Sequence, residues 1–320
     1  MQHLFGPYGS ISRANTSRLA SSEANAIWFH GFDAELFERA DHARVSANVE
    51  FRTFRADFAL HPELVPVGVD QAPIRYGDLV QGVCLSQTEF IAEREDALRA
   101  GMREFAPTGV WLDYLTGAGW FETPTPDLQE SCFCDACVSG FNEATGLDCT
   151  SPREILQRYG REWREHNCER IAHYGRRFAA IIRESRPGTI VGLYACPWYP
   201  DEHDGALTRI FAQDFVRLAP IFDVITPLMY ARKCGRPPEW SADYLRRAAG
   251  FIPSGTAVAP IVDALDFPAN MQALADLAMA ADAASVPGVQ IFGGDTVFAD
   301  DRKVAAFDES IRAIRGGKVT

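Results

Sequence analysis

The chain has 320 residues, 47% hydrophobic and 23% charged, with a formal net charge of −12. Such a composition is ordinary for a soluble globular protein, and the length fits one large α/β domain or two small ones. The acidic balance argues against nucleic acid or an anionic membrane as partner, since both need a concentrated basic face, and it suits a neutral substrate such as a sugar.

Residues 1–20 read as an irregular N-terminal extension without an apolar run of signal-peptide length. Ala24 to Phe29 is a short buried strand ending at His30, and Asp33 then caps a helix with Phe37 and Ala40 on its inner face. Arg44 to Phe54 alternates Val45, Ala47, Val49 and Phe51 with polar partners, the period of a second strand. Residues 55–79 form a long connection rich in proline and glycine, of a kind that is usually functional. Gln81 to Leu85 is the expected third strand, and a charged helix follows from Thr88 to Phe105.

Gly109 to Leu115 is the fourth strand, apolar except for Asp113 and the Tyr114 hydroxyl. The loop beyond it carries Trp120 and Glu122 and ends at Cys132, Cys134 and Cys137. Ser151 and Pro152 open the longest helix, which runs to Arg186 and is stopped by Pro187 and Gly188. Within it Ile155, Tyr159, Trp163, Ile171, Tyr174, Phe178 and Ile182 recur on one face. Four strand–helix pairs complete the chain: strands at Thr189–Ala195, Asp223–Tyr230, Ala257–Val262 and Gly288–Phe292, with helices at Leu207–Leu218, Ala242–Gly250, Ala269–Ala284 and Arg302–Arg315.

This alternation matches a (β/α)8 TIM barrel of one domain spanning residues 1–320. No G-x-G-x-x-G follows the first strand, which weakens a dinucleotide-binding alternative, and no window reaches the roughly 18 apolar residues of a membrane span. Barrel enzymes build their sites at the C-terminal strand ends. Those ends carry His30, then Glu50 and Arg52, then Asp113, then Tyr194 with Trp198 just beyond, then Tyr230, Asp263 and Asp295. Carboxylates and aromatics dominate, and none of these residues resembles a Ser or Cys nucleophile with a paired base.

Glycosidic cleavage needs two carboxyl groups flanking the anomeric carbon, in environments that push their pKa values apart. Asp113 is the leading candidate, as nucleophile or base; the competing reading is a structural acid paired with Arg52. Glu122 is placed to act as general acid, against the alternative of a solvated loop glutamate. Asp263 is the substitute acid, and Asp295, after two glycines, fits a turn cap equally well. His30, Glu50 and Arg52 read as substrate hydrogen-bonders or packing residues. Trp111, Trp120, Trp198, Tyr199 and Tyr230 are candidate stacking surfaces for a pyranose, although Trp111, on the strand itself, fits the core better.

The chain holds eight cysteines, unevenly placed. The C-x-C-x-x-C spacing at Cys132, Cys134 and Cys137 puts three soft ligands on one turn, as tetrahedral zinc requires, with Cys84 or Cys149 as the fourth. Free thiols with one redox pair are the competing reading. Four thiolates leave no open position, so the expected Zn2+ is structural and staples the loop after strand four. The pattern does not suit a disulfide framework, and the expected compartment is the reducing cytoplasm. A homo-oligomer is left open.

The pairing of VCLSQTEF at Cys84 with CFCDACVSGF at Cys132–Phe141 resembles the zinc-binding pattern of glycoside hydrolase family 42 β-galactosidases. The resemblance implies a TIM-barrel glycosidase with zinc at Cys84, Cys132, Cys134 and Cys137. There are departures. The family carries Asn-Glu as acid/base where Leu112-Asp113 stands here, and a Glu nucleophile where Asp263 stands, and its further domains do not fit this length. The stretches GVWLDYL and DVITPLMY resemble a wider group of glycoside-hydrolase-like barrels in which an Asp ends strand four and a Tyr ends strand six. The leading expectation is an O-glycosidase acting on a neutral glycan or glycoside. A non-catalytic carbohydrate-binding barrel is one alternative, and a metal-dependent lyase or hydrolase with His30, Glu50 and Asp113 as ligands is another.

Overall fold

A computed structural model describes residues 3–74, 82–280 and 285–316. The chain opens with β1 (Leu4–Tyr8), α1 (Arg13–Ser21), β2 (Ala26–His30), α2 (Ala34–Ala43) and β3 (Ser46–Arg52). After a long connection come α3 (Thr88–Glu104), β4 (Gly109–Asp113), α4 (Asp135–Thr145), α5 (Pro152–Ser185) and β5 (Ile190–Ala195). Two short helical turns, α6 (Ala206–Arg209) and α7 (Phe215–Leu218), lead to β6 (Val224–Met229) and α8 (Trp240–Ala248). The chain ends with β7 (Ala257–Val258), β8 (Ile261–Asp263), α9 (Ala269–Met279), β9 (Gly288–Phe292), α10 (Asp295–Phe298) and α11 (Asp301–Gly316).

Among the described residues the pairings of β1 to β9 are all parallel, and the order β5-β4-β3-β2-β1-β9-β8-β6 is closed by β5 pairing with β6. β7 and β8 both pair with β6 and share one stave, so the barrel has eight positions. Period-two alternation sorts the side chains. Val49, Phe51, Val110, Leu112 and Leu193 face the helical layer, in one core with Phe178 and Ile182 of α5. Trp28, Trp111, Tyr194, Val224 and Ile261 fill the barrel interior.

Trp111 shows how that interior is built. A Cβ at Gly109 or Gly192 would overlap its ring, so glycine on two neighbouring staves makes the space the indole occupies. Its Nε1–H donates to Thr226 Oγ1 at 2.9 Å, so the ring is buried without an orphaned donor. Removing roughly 200 Å² of aromatic surface from water is worth roughly 5 kcal/mol.

The structure moves several expected boundaries. The first stave is β1, inside the supposed irregular extension, where Gly6-Pro7 reads as a turn signal. Gly6 is needed because a Cβ there would run into the Ala26 carbonyl of β2. The expected third strand does not form: Gly82 to Leu85 belong to the connection between β3 and α3, and Gln81 lies outside the described residues. The helix expected at Leu207–Leu218 is two separate turns. The stave expected at Ala257–Val262 is broken at Ala259-Pro260, where proline removes a ladder donor. Residues 281–284, the end of the helix expected from Ala269, also lie outside the described residues.

Candidate active site

The C-terminal mouth of the barrel opens into a cleft that is continuous with solvent. Inward positions of β3 supply Glu50 and Arg52, and the inward end of β4 supplies Asp113. Arg52 and Asp113 are register partners on adjacent strands.

Glu50 is only 1% exposed, so its charge must be met inside the protein. Arg52 Nε donates to its Oε1 at 2.7 Å, and the Tyr8 hydroxyl of β1 donates to its Oε2. His30 Nδ1 stands 3.7 Å from Oε1. Asp113 lies close enough to the same carboxylate for the two to interact directly. The main chain fixes Asp113 in turn: the Thr53 hydroxyl donates to its carbonyl at 2.8 Å, and the Tyr114 N–H donates to Oδ1 at 2.9 Å. Tyr114 has φ 57°, a left-handed conformation that an aromatic residue seldom adopts and that surrounding contacts must impose. One such contact is Arg55 Nη1, which donates to the Tyr114 hydroxyl at 2.7 Å.

Burial first, then the charge and hydrogen bond of Glu50, hold the Asp113 carboxyl well above the usual carboxylate range, and Arg52 works against them. Burial, with Arg52, Arg94 and Arg55 nearby, lowers His30 to about 4, so its imidazole is neutral at physiological pH.

Across the cleft, the loop after β4 brings in Trp120, Phe121 and Glu122. Gly117 N–H (2.8 Å) and the Thr116 hydroxyl (2.9 Å) both donate to the Phe211 carbonyl, tying the loop to the segment before α7. Phe121 packs edge-on against Phe211 with centroids 5.5 Å apart. Glu122 Oε2 lies 3.1 Å from Lys233 Nζ, and that ammonium also sits over the rings of Tyr230 (4.4 Å) and Phe292 (4.8 Å). Burial raises the Glu122 carboxyl, the Lys233 ammonium opposes that rise, and Asp263 adds to it from further off. Tyr230 lines the same cleft, within electrostatic reach of Glu122, Asp113, Glu50 and Asp263.

Of the sequence candidates, Glu50, Arg52, Asp113, Trp120, Glu122, Tyr194 and Tyr230 line one cleft. His30 joins through Glu50. Tyr194 is buried, with its hydroxyl donating to Gln290 Oε1 at 2.6 Å. Four candidates stand elsewhere, one of them Tyr199, which stacks on Tyr244. Trp198 is 2% exposed and packed edge-on against Phe121 and Phe211, so it supports the loop rather than lining the cleft. Asp263 is 4% exposed and accepts the Leu265 N–H at 2.9 Å, capping the turn after β8. Asp295 accepts from Ser12 N–H (2.9 Å) and Asn15 Nδ2 (2.8 Å), anchoring the chain around α1. The sequence reading missed Tyr8, Lys233 and Phe292 as cleft residues. Tyr8 and Phe292 end inward positions of β1 and β9, a signal available once β1 is recognised; Lys233 lies in a loop with no periodicity to place it.

Behind the Glu122 loop, the sulfurs of Cys84, Cys132, Cys134 and Cys137 lie within 4.8 Å of one another. Among the described residues this is the one group of three or more His, Cys, Asp or Glu ligand atoms so gathered, so His30, Glu50 and Asp113 do not form a second one. Cys84 Sγ is 3.7 Å from Cys134 Sγ and 3.6 Å from Cys137 Sγ. A tetrahedron with 2.3 Å metal–sulfur arms has edges of about 3.8 Å, so the spacing fits a four-coordinate ion. Cys149 is buried elsewhere in the same small core, its main chain held by the Asn142 side chain. Further contacts orient the ligands: Val67 N–H donates to Cys132 Sγ at 3.2 Å, and Ser86 Oγ and Arg170 Nη1 approach Cys137 Sγ at 3.1 and 3.5 Å. The cluster thereby ties the long connection after β3 to the loop after β4.

No family model matches the chain, and no curated protein matches it in sequence. Solved structures do match in fold. The PgaB (BpsB) glycoside hydrolase domain from Bordetella bronchiseptica aligns over 100% of both chains with a TM-score of 0.69 and 9% identity. The catalytic domain of β-amylase from Paenibacillus polymyxa aligns over 99% of this chain and 100% of its own, with a TM-score of 0.67 and 10% identity. Gan42B, a family 42 β-galactosidase from G. stearothermophilus, aligns over 98% of this chain but 56% of its own, with a TM-score of 0.65 and 12% identity. The fold is therefore a parallel barrel of the kind on which these glycoside hydrolases are built.

Proposed function

We propose that the chain is a glycoside hydrolase that cleaves O-glycosidic bonds of a neutral glycan or glycoside, with Asp113 as the proton donor. One observation carries the reading: Asp113 and Glu122 line the same cleft in contrasting environments. Burial raises both carboxyls; Glu50 raises Asp113 further, whereas Lys233 opposes the rise at Glu122 and favours its ionised form. The aromatic surfaces of Trp120 and Tyr230 suit the C–H faces of a sugar ring.

In the reaction, the Asp113 O–H bond breaks as its proton moves to the glycosidic oxygen, which leaves with the electron pair of the cleaved C–O bond. The Glu122 carboxylate either bonds to the anomeric carbon or takes a proton from a water that does so. This reverses the roles first expected from the sequence, because burial beside Glu50 suits Asp113 to the acid. Asp263 tunes Glu122 through space.

The four-sulfur site fits zinc, all four donors being soft thiols at tetrahedral spacing. Cys84, Cys132, Cys134 and Cys137 would hold such an ion, which would supply a structural clamp on the loop that presents Trp120 and Glu122. The cysteines, all free of disulfides, support a reducing, cytoplasmic setting.

A panel of aryl glycosides and oligosaccharides tested with wild type and Asp113→Asn decides the matter. Cleavage of at least one glycoside, lost in the variant, is expected; cleavage unaffected by it would remove Asp113 from the chemistry. A binding-only barrel is the second reading, favoured by the engagement of Glu50 and Glu122 with Arg52 and Lys233. Saturable sugar binding with no turnover of any panel member would select it.

A further inference from the structure

We infer that Glu50, anchored by Tyr8 and Arg52, is a positioning residue that keeps one proton shared between itself and Asp113. The inference rests on the reading of Asp113 as the acid. The geometry sets the terms. Glu50 is buried, its Oε1 already accepts from Arg52 at 2.7 Å, its Oε2 already accepts from Tyr8, and the Asp113 carboxyl at the neighbouring strand end interacts with it directly. Two closely interacting carboxyl groups in a buried site ionise together only at a high electrostatic cost, so the resting pair holds one proton.

Which partner holds the proton follows from the donors. Arg52 and Tyr8 both give hydrogen bonds to Glu50 and stabilise its anionic form. Asp113 receives one donor of that kind, the Tyr114 N–H. The asymmetry places the proton on Asp113, the partner on the β4 rim, and leaves Glu50 as the fixed counter-carboxylate. The other groups facing the pair come from every neighbouring stave: His30 from β2, Tyr114 after β4, Tyr194 from β5 and Tyr230 after β6. His30 is neutral at physiological pH, and the tyrosines are protonated there, with burial raising Tyr194 and Tyr230 well above the usual phenol range and Tyr114 to about 12. Arg94 and Arg55 add positive charge nearby, and the cation in direct contact with the pair is Arg52. When the proton leaves with the glycosidic oxygen, its guanidinium is the charge that steadies the doubly ionised pair.

None of this needs turnover to be tested. Carbon-13 NMR of aspartate-labelled full-length protein, with the Asp113→Asn spectrum to identify the resonance, reads the Asp113 titration directly. Glu50→Gln keeps the shape and a hydrogen bond but removes the negative charge, and the Asp113 midpoint is expected to fall by at least one pH unit. Tyr8→Phe removes one of the two donors to Glu50, lets the shared proton move onto Glu50, and is expected to shift Asp113 in the same direction by less. An Asp113 midpoint unchanged in both variants would overturn the inference, and if Glu50→Gln does not fold, Tyr8→Phe decides alone. A glycoside panel with no substrate would sink the catalytic reading while leaving the titration interpretable; turnover with an unmoved titration would do the reverse.

Discussion

The Lys233 ammonium lies 3.1 Å from Glu122 and caps the Tyr230 ring at 4.4 Å, so one cation both pairs the cleft acid and roofs an aromatic wall. Replacing it with methionine keeps most of the packing and removes the charge that opposes the rise of the Glu122 carboxyl. The carboxyl then rises further. Because the base must be ionised, the acidic limb of kcat/KM moves to higher pH, and activity at about pH 5 falls about ten-fold or more. Lys233→Arg retains the charge and is expected to leave the limb in place. An acidic limb identical in wild type and Lys233→Met would show that Glu122 is not the titrating base.

Asp113 carries a stability cost, which the proposed acid role would explain. Its carboxyl is raised in the folded state, so the folded chain binds that proton more tightly than the unfolded chain. The associated stability is full below the unfolded carboxyl value of about 3.9 and is lost as pH rises toward the folded value. Asp113→Asn is isosteric and has no carboxyl to ionise. Its melting temperature should exceed that of wild type near about pH 8, and the gain should shrink toward about pH 4. A variant less stable than wild type at both ends would contradict the buried, like-charge environment.

The sulfur cluster is expected to bind about one metal per chain, zinc by its donor chemistry. Cys132 receives the Val67 N–H, so Cys132→Ser should lose the metal and also free the connection after β3. The expected signs are metal content near zero, a melting temperature lower by about 5 °C or more, and new proteolytic cuts in residues 55–74. Full metal content in the variant would assign the ion to other ligands.

Gly192→Ala adds one methyl where the Trp111 ring already lies. Close-packed interiors do not absorb that freely, and a loss of about 1–3 kcal/mol in chemical denaturation is expected. An unchanged midpoint would mean that the indole sits elsewhere in the barrel.

The barrel and most of its mouth were legible because period-two alternation fixes which strand residues face inward. Glu50, Arg52 and Asp113 follow from that rule alone, and so does Trp111 as core. Tyr8 was hidden because residues 1–20 read as an irregular extension, although Gly6 sits on a strand, where it allows close approach to Ala26. Loops obey no such period. Trp120 and Glu122 reach the cleft, whereas Trp198, equally close to a strand end, turns into the layer behind Phe121. Cys84 was placed as a ligand on the expectation that it ends a strand beside strand four. It reaches the cluster from the connection after β3 instead, in part because Cys84 N–H donates to the Leu64 carbonyl at 2.9 Å.

The central claim is that Asp113 delivers a proton to the leaving oxygen, and leaving-group dependence tests it most directly. Turnover of a 2,4-dinitrophenyl glycoside needs little acid assistance, and turnover of the matching alkyl glycoside needs full assistance. The account predicts that Asp113→Asn slows the alkyl substrate by about 10²–10⁴-fold while leaving the dinitrophenyl substrate within a few-fold of wild type. Equal losses on both substrates, or none on either, would contradict it.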